Sequence, residues 1–118
     1  MANQGVEQKL QAMRNRFGES LAERLTDIEK SWADACAGNS EAQKIFHRQA
    51  HSLAGTGATF GFEEVSDAAR ALERAVDAAG GVQKIAASGA ITARMAELGS
   101  VISNIGERRT TDLDGYFL

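Results

Sequence analysis

A histidine lying among unusually small residues is the feature of this chain best suited to chemistry. A helical rotation of 100° per residue places Ala54, Gly55 and Ala58 on the same side of a helix as His51. A neutral imidazole nitrogen can attack phosphorus, and the phosphoramidate that forms is reactive enough to pass the group on. The pattern therefore predicts an exposed nucleophilic imidazole that a bulky partner surface can approach.

The opposite side of the same helix is apolar. Phe46, Leu53 and Phe60 fall close together there, so we expect this stripe to face a core. Glycines at 55, 57 and 61 each weaken a helix by roughly 0.5–1 kcal/mol relative to alanine. A helix that keeps them is expected to be approached closely by another element or another chain.

The whole chain is long enough for one domain with its own hydrophobic core. It has 118 residues, is 43% hydrophobic and 25% charged, and contains no proline. Aromatic residues make up only 6%, and β-branched runs are lacking, so a sheet is not expected. We predict a single domain over residues 1–118, with a core at about 17–109 and a tail at 110–118.

Apolar residues at alternating spacings of three and four predict helices along most of the chain. The predicted helices cover 3–17, about 20–35, about 41–61 and about 63–79, and a last one ends at 109 after starting between 82 and 90. Gly18 is expected to interrupt the first two, and Ser40 with Gln43 has the spacing of a capping box. The predicted fold is all-α: an antiparallel four-helix bundle with an additional N-terminal helix.

Charge and hydropathy argue against several kinds of partner. The net charge is −3 and the basic residues are scattered, which does not favour nucleic acid. No apolar run is long enough to span a bilayer, so we expect no membrane association. The single cysteine, Cys36, forms no internal disulfide, which favours a cytoplasmic location, and we expect it to be a buried structural thiol.

The two histidines of the chain are candidate metal ligands. His47 and His51 stand at i and i+4, a spacing that can bind a metal on one helical face. No acidic residue or cysteine completes an obvious ligand set nearby in sequence, so we predict no metal site.

The segment 51–61 resembles the signature of histidine-containing phosphotransfer (HPt) domains. In that family an apolar residue, lysine and glycine follow the histidine at +2, +3 and +4, with a small residue at +7, an apolar one at +9 and often glycine at +10. The corresponding residues here are Leu53, Ala54, Gly55, Ala58, Phe60 and Gly61. Residues 65–75 are similar to the family's next helix.

The resemblance implies a role in a phosphorelay. His51 would accept a phosphoryl group from the phospho-aspartate of a receiver domain and donate it to another receiver. The receiver would supply Mg²⁺, so no cofactor is expected on this chain. The predicted docking surface consists of His47, Ala54, Gly55 and Ala58. The chain has no glycine-rich phosphate loop, so we expect a phosphocarrier without kinase activity of its own.

One position departs from the family pattern. Ala54 stands where the family usually has a lysine, and Arg48, one turn before His51, is a candidate for the cation that holds the phosphoryl oxygens. Lys44, two turns back, is a second candidate. The departure leaves an alternative open, an HPt-like module that binds a receiver without carrying phosphate. A purely structural bundle is a third possibility, and it predicts that His51 is covered.

Overall fold

Four helices form the protein over the residues that the structure describes. The computed structural model describes the backbone of residues 2–80 and 89–117, and the side chains of 5–80 and 89–107. The helices are α1 (Ala2–Cys36), α2 (Ser40–Thr59), α3 (Glu63–Ala79) and α4 (Gly89–Phe117). Each packs on two neighbours in the cyclic order α1, α2, α3, α4, as in a bundle. The described residues contain no strand, which agrees with the predicted all-α class.

The additional N-terminal helix is not confirmed. Residues 2–36 form one continuous helix that passes through Gly18, which is buried. A single interior glycine costs only about 1 kcal/mol, so packing on both sides of it can keep the helix intact. The part of α1 that contacts the core begins at Phe17, where the side chain is 3% exposed.

The bundle core is built from apolar residues of all four helices. The largest fully buried side chains come from all four helices: Leu21, Ile28, Phe46, Leu53, Val65, Leu72, Ile91 and Leu98. Phe60 is half-buried and packs with Phe62 around Phe17, at ring-centroid distances of 5.5 and 5.3 Å from it. This aromatic cluster fastens the α2–α3 turn to α1.

The ends of the helices follow ordinary capping rules, with one correction. The N-cap of α2 is Asn39, whose side chain accepts hydrogen bonds from the backbone of Glu41 and Ala42, and Ser40 is the first helical residue. Asparagine and serine cap about equally well, so the choice depended on where the chain turns. Gly38 and Gly80 both adopt positive φ after a helix, as expected of glycines at C′ positions.

The last helix extends further than its apolar pattern. α4 continues to Phe117, so the backbone shows no break at the predicted start of a tail, Thr110. The apolar pattern stops at Arg109, but the sequence contains no proline that would end the helix there. The predicted start of this helix lies partly outside the described residues, since positions 81–88 are not described.

Candidate functional site

His51 lies on the outer face of α2 with its imidazole open to solvent. Its side chain is 73% exposed. The third possibility, a purely structural bundle, predicts a covered histidine, and this exposure contradicts it. Phe46 and Leu53, on the opposite side of the helix, are 0% and 1% exposed. Burial of this stripe fixes the rotation of α2 and thereby turns His51 outward.

A carboxylate on α3 holds one of the two ring nitrogens of His51. Nδ1 lies 2.9 Å from Oε1 and 3.0 Å from Oε2 of Glu73, whose side chain is 20% exposed. An ionised carboxylate only accepts hydrogen bonds, so Nδ1 carries the hydrogen that it donates. In the neutral ring Nε2 then carries the lone pair.

Glu73 was missed by the sequence reasoning, although the sequence contains a signal for it. Phe62, in the α2–α3 turn, lies midway along the chain between His51 and Glu73. In an antiparallel hairpin, residues equally far from the turn lie side by side on the two helices. Glu73 lies as many residues after Phe62 as His51 lies before it, so this rule would have identified it as the partner of His51.

The same register brings together a second histidine and carboxylate. His47 Nε2 donates to Asp77 Oδ1 at 2.8 Å, and these side chains are 38% and 62% exposed. His47 stands one turn before His51 on α2, and Asp77 one turn after Glu73 on α3. Two histidine–carboxylate pairs therefore lie next to each other in the groove between the helices, which we call the α2–α3 groove.

Of the four residues in the predicted docking surface, Ala54 needs a correction. Its side chain is 4% exposed, so it lies beneath the surface, whereas Gly55 and Ala58 are exposed. Ala54 is covered because α3 packs against it: the Ser66 hydroxyl donates to the Ala54 carbonyl at 2.7 Å. The accessible part of the predicted surface is reduced to His47, Gly55 and Ala58.

Two glycines of α2 have different surroundings. A Cβ at Gly57 would meet the Ser66 backbone nitrogen at 3.3 Å and the Phe62 carbonyl at 3.4 Å, so this glycine permits the close approach of α3. A Cβ at Gly55 would meet no atom of the described residues within 4 Å. Contacts within the chain thus account for Gly57 and leave Gly55 facing open space beside His51.

Two cations of α2 line the α2–α3 groove together with His51. Lys44 and Arg48 are both exposed, and neither has a hydrogen bond or ion pair with any residue that the structure describes. Arg48 also lines the neighbouring groove between α1 and α2, with Arg24 and Ser52. A guanidinium at this position is free to contact an anion that reaches His51.

Cys36 takes no part in this site and is not buried as predicted. It lies exposed in the last turn of α1. The protein atoms around the sulfur still desolvate the thiolate, and this raises the pKa of the Cys36 thiol. A raised pKa lowers the fraction of reactive thiolate, which is the opposite of what a nucleophilic cysteine needs.

The described residues form a helical bundle with an exposed histidine, and comparison with known families identifies its class. The family model described as Hpt domain matches residues 12–105, most of the chain. The chain therefore belongs to the Hpt domain family. Comparisons with curated proteins and with solved structures gave no significant match.

The general function follows from membership in this family. Hpt domains are phosphocarrier modules of phosphorelay signalling that interact with receiver domains, and they are not kinases. None of the described helices combines the length and apolarity needed to cross a membrane.

Proposed function

We propose that His51 is the phosphoacceptor of a phosphorelay. In this function its Nε2 takes a phosphoryl group from the phospho-aspartate of one receiver domain and passes it to the aspartate of another. The observation that carries the proposal is the Glu73–His51 hydrogen bond, which occupies Nδ1 and leaves the lone pair of the neutral ring on Nε2. The 73% exposure of the side chain gives a partner access to that nitrogen.

The transfer step needs little from this chain beyond the positioned ring. The Nε2 lone pair forms the N–P bond while the P–O bond to the aspartyl carboxylate breaks, and the carboxylate leaves with the electron pair. The ring gains positive charge as the bond forms, and the Nδ1 hydrogen remains between the ring and Glu73. A carboxylate beside that hydrogen stabilises the developing charge.

A cation on this chain is proposed to hold the phosphoryl oxygens. The buried Ala54 supplies none, whereas Arg48 is exposed in the same groove as His51. We assign this part to Arg48, with Lys44 as the other candidate. Mg²⁺ is proposed to belong to the receiver, and its chemistry is not part of the chain's own contribution.

The open space at Gly55 is proposed to admit the receiver. Gly55 has no side chain and Ala58 has only a methyl group, so the surface of a second protein can approach the imidazole of His51. A partner must come this close because the acceptor nitrogen and the aspartyl phosphate have to meet at near-bonding distance.

Phosphotransfer from labelled receiver domains tests the proposal. The wild-type chain is expected to acquire acid-labile phosphate, His51→Gln to acquire none, and His47→Gln to remain labelled. Receiver binding is measured in parallel for all three proteins. A wild-type chain that binds receivers but never becomes labelled would instead be a receiver-binding module that carries no phosphate.

A further inference from the structure

Two antiparallel helices place a group of metal-ligand side chains in the α2–α3 groove. His47 belongs to α2, and Glu73 and Asp77 stand at i and i+4 on α3. Each offers one ligand atom, and the three atoms lie within 4.8 Å of one another. Such a group is not visible in the sequence alone, because the ligands come from two helices.

The chemistry of these ligands fits a zinc-like ion. Imidazole nitrogen is a ligand that suits zinc, copper and nickel, whereas magnesium and calcium prefer oxygen alone. Two carboxylates balance the charge of a divalent ion, and three protein ligands with an open fourth position form a common type of zinc site. The side chains line a groove, so the ion would be partly enclosed between the helices.

The contact that an ion would have to replace is a weak one. His47 Nε2 and Asp77 Oδ1 form a hydrogen bond at 2.8 Å, and the two side chains are 38% and 62% exposed. Pairs as exposed as this contribute little to stability, so exchanging the Nε2 hydrogen for a metal ion costs little. When Nε2 becomes a metal ligand it gives up its hydrogen, and the neutral ring then carries its one hydrogen on Nδ1.

We propose that His47, Glu73 and Asp77 form a binding site for a divalent ion of the zinc class. The site shares Glu73 with His51, since both oxygens of that carboxylate lie within 3.0 Å of His51 Nδ1. An ion bound to Glu73 withdraws negative charge from the imidazole. Zinc therefore slows phosphoryl acceptance, a consequence that rests on the function proposed for His51.

Titration of the full chain with Zn²⁺ alone, followed by calorimetry, tests the site. Wild type is expected to bind one ion, and Asp77→Asn to bind it at least about tenfold more weakly, because a charged ligand is lost. Asp67→Asn makes the same change at another exposed position of α3 and should leave the affinity unchanged. Cys36→Ser, which removes the exposed thiol, should also bind zinc as wild type does.

The outcomes of the titration are decisive. Equal affinity in wild type and Asp77→Asn, or no binding by wild type, would overturn the site. Circular dichroism shows whether each variant is folded, and His47→Gln gives a second test if Asp77→Asn is not. It should weaken binding by a similar factor, and unchanged affinity would also overturn the site.

A second measurement separates this site from the proposed phosphotransfer. Zinc is added while labelled receiver donates to wild type or to Asp77→Asn, which leaves Glu73 and His51 in place. The factor by which zinc slows labelling should be several-fold larger for wild type than for Asp77→Asn. Equal slowing of both would refute the coupling. Failure of the wild type to be labelled without zinc would refute the phosphotransfer proposal and leave the calorimetric result standing.

Discussion

Removal of the Glu73 carboxylate should slow phosphoryl acceptance by His51 without weakening receiver binding. Its hydrogen bond with Nδ1 spans 2.9 Å and strengthens as the ring gains charge. A hydrogen bond to a charged group is worth about 1.5–3 kcal/mol, but His51 is 73% exposed, so solvent reduces this to about 1–1.5 kcal/mol. Glu73→Ala should therefore slow transfer by a factor of about 5 to 13.

The glutamine variant grades the same effect. Its amide oxygen still accepts from Nδ1 but carries no charge, and neutral hydrogen bonds are roughly half as strong as charge-assisted ones. Glu73→Gln should therefore transfer at a rate between those of wild type and Glu73→Ala. Rates come from rapid-quench labelling with a phosphorylated receiver, and ¹⁵N NMR of the imidazole reports which ring nitrogen carries the hydrogen.

A matched control is available on the same helix. Glu63→Ala removes an exposed carboxylate from the first turn of α3 and should leave the rate unchanged. Glu73→Ala acting as fast as wild type would refute the role given to Glu73. The role would also be refuted if Glu73→Ala transferred more slowly only because it bound the receiver more weakly, while Nδ1 of His51 still carried its hydrogen.

Three further predictions concern other parts of the chain. Gly57→Leu should lower the free energy of unfolding by about 1–3 kcal/mol in urea denaturation because the Ser66 backbone crowds that position, whereas Gly55→Leu should keep or slightly raise it and weaken receiver binding. Equal effects on stability would contradict the two environments. Arg48→Ala should slow phosphoryl acceptance several-fold while changing receiver binding less, and an unchanged rate would exclude Arg48 from the site. Because its pKa is raised, Cys36 should be alkylated more slowly than an ordinary thiol at mildly alkaline pH, and the rate should increase as the pH rises. An alkylation rate equal to that of free cysteine would contradict this.

Residue spacing predicted the buried side of α2, but it did not predict that α1 continues through Gly18. The stripe of Phe46 and Leu53 determined which side of α2 is buried, and this placed His51 outside. Ala54 lies only 60° from His51 by helical rotation, yet α3 covers it. Periodicity gives the direction of a side chain from its own helix axis, but not the distance at which a neighbouring helix packs.

The parts that the sequence reasoning missed depend on two helices at once. The sequence of α3 alone gives no sign that Glu73 and Asp77 contact histidines. Their partners are known only from the register of the α2–α3 hairpin. Close to this pairing the two helices approach each other at Gly57, where a Cβ would lie 3.3 Å from the Ser66 backbone nitrogen. The histidine was recognisable from its neighbours in sequence, whereas its hydrogen-bond partner required the pairing of the helices.

The length of α1 has a consequence for how the molecule opens. Every described side chain from 5 to 16 is exposed, including Val6, Leu10 and Met13, whereas Phe17 and Leu21 are buried. Unwinding the first turns gives up helical hydrogen bonds but almost no buried apolar area, so it is a local event independent of global unfolding. Amide hydrogens before Phe17 should exchange with solvent quickly, and those beyond Leu21 only at the rate of the core. The family match begins within this exposed segment, at residue 12. The cooperative unit that holds His51 in place therefore starts near Phe17, and the turns before it form a separate, weakly coupled segment.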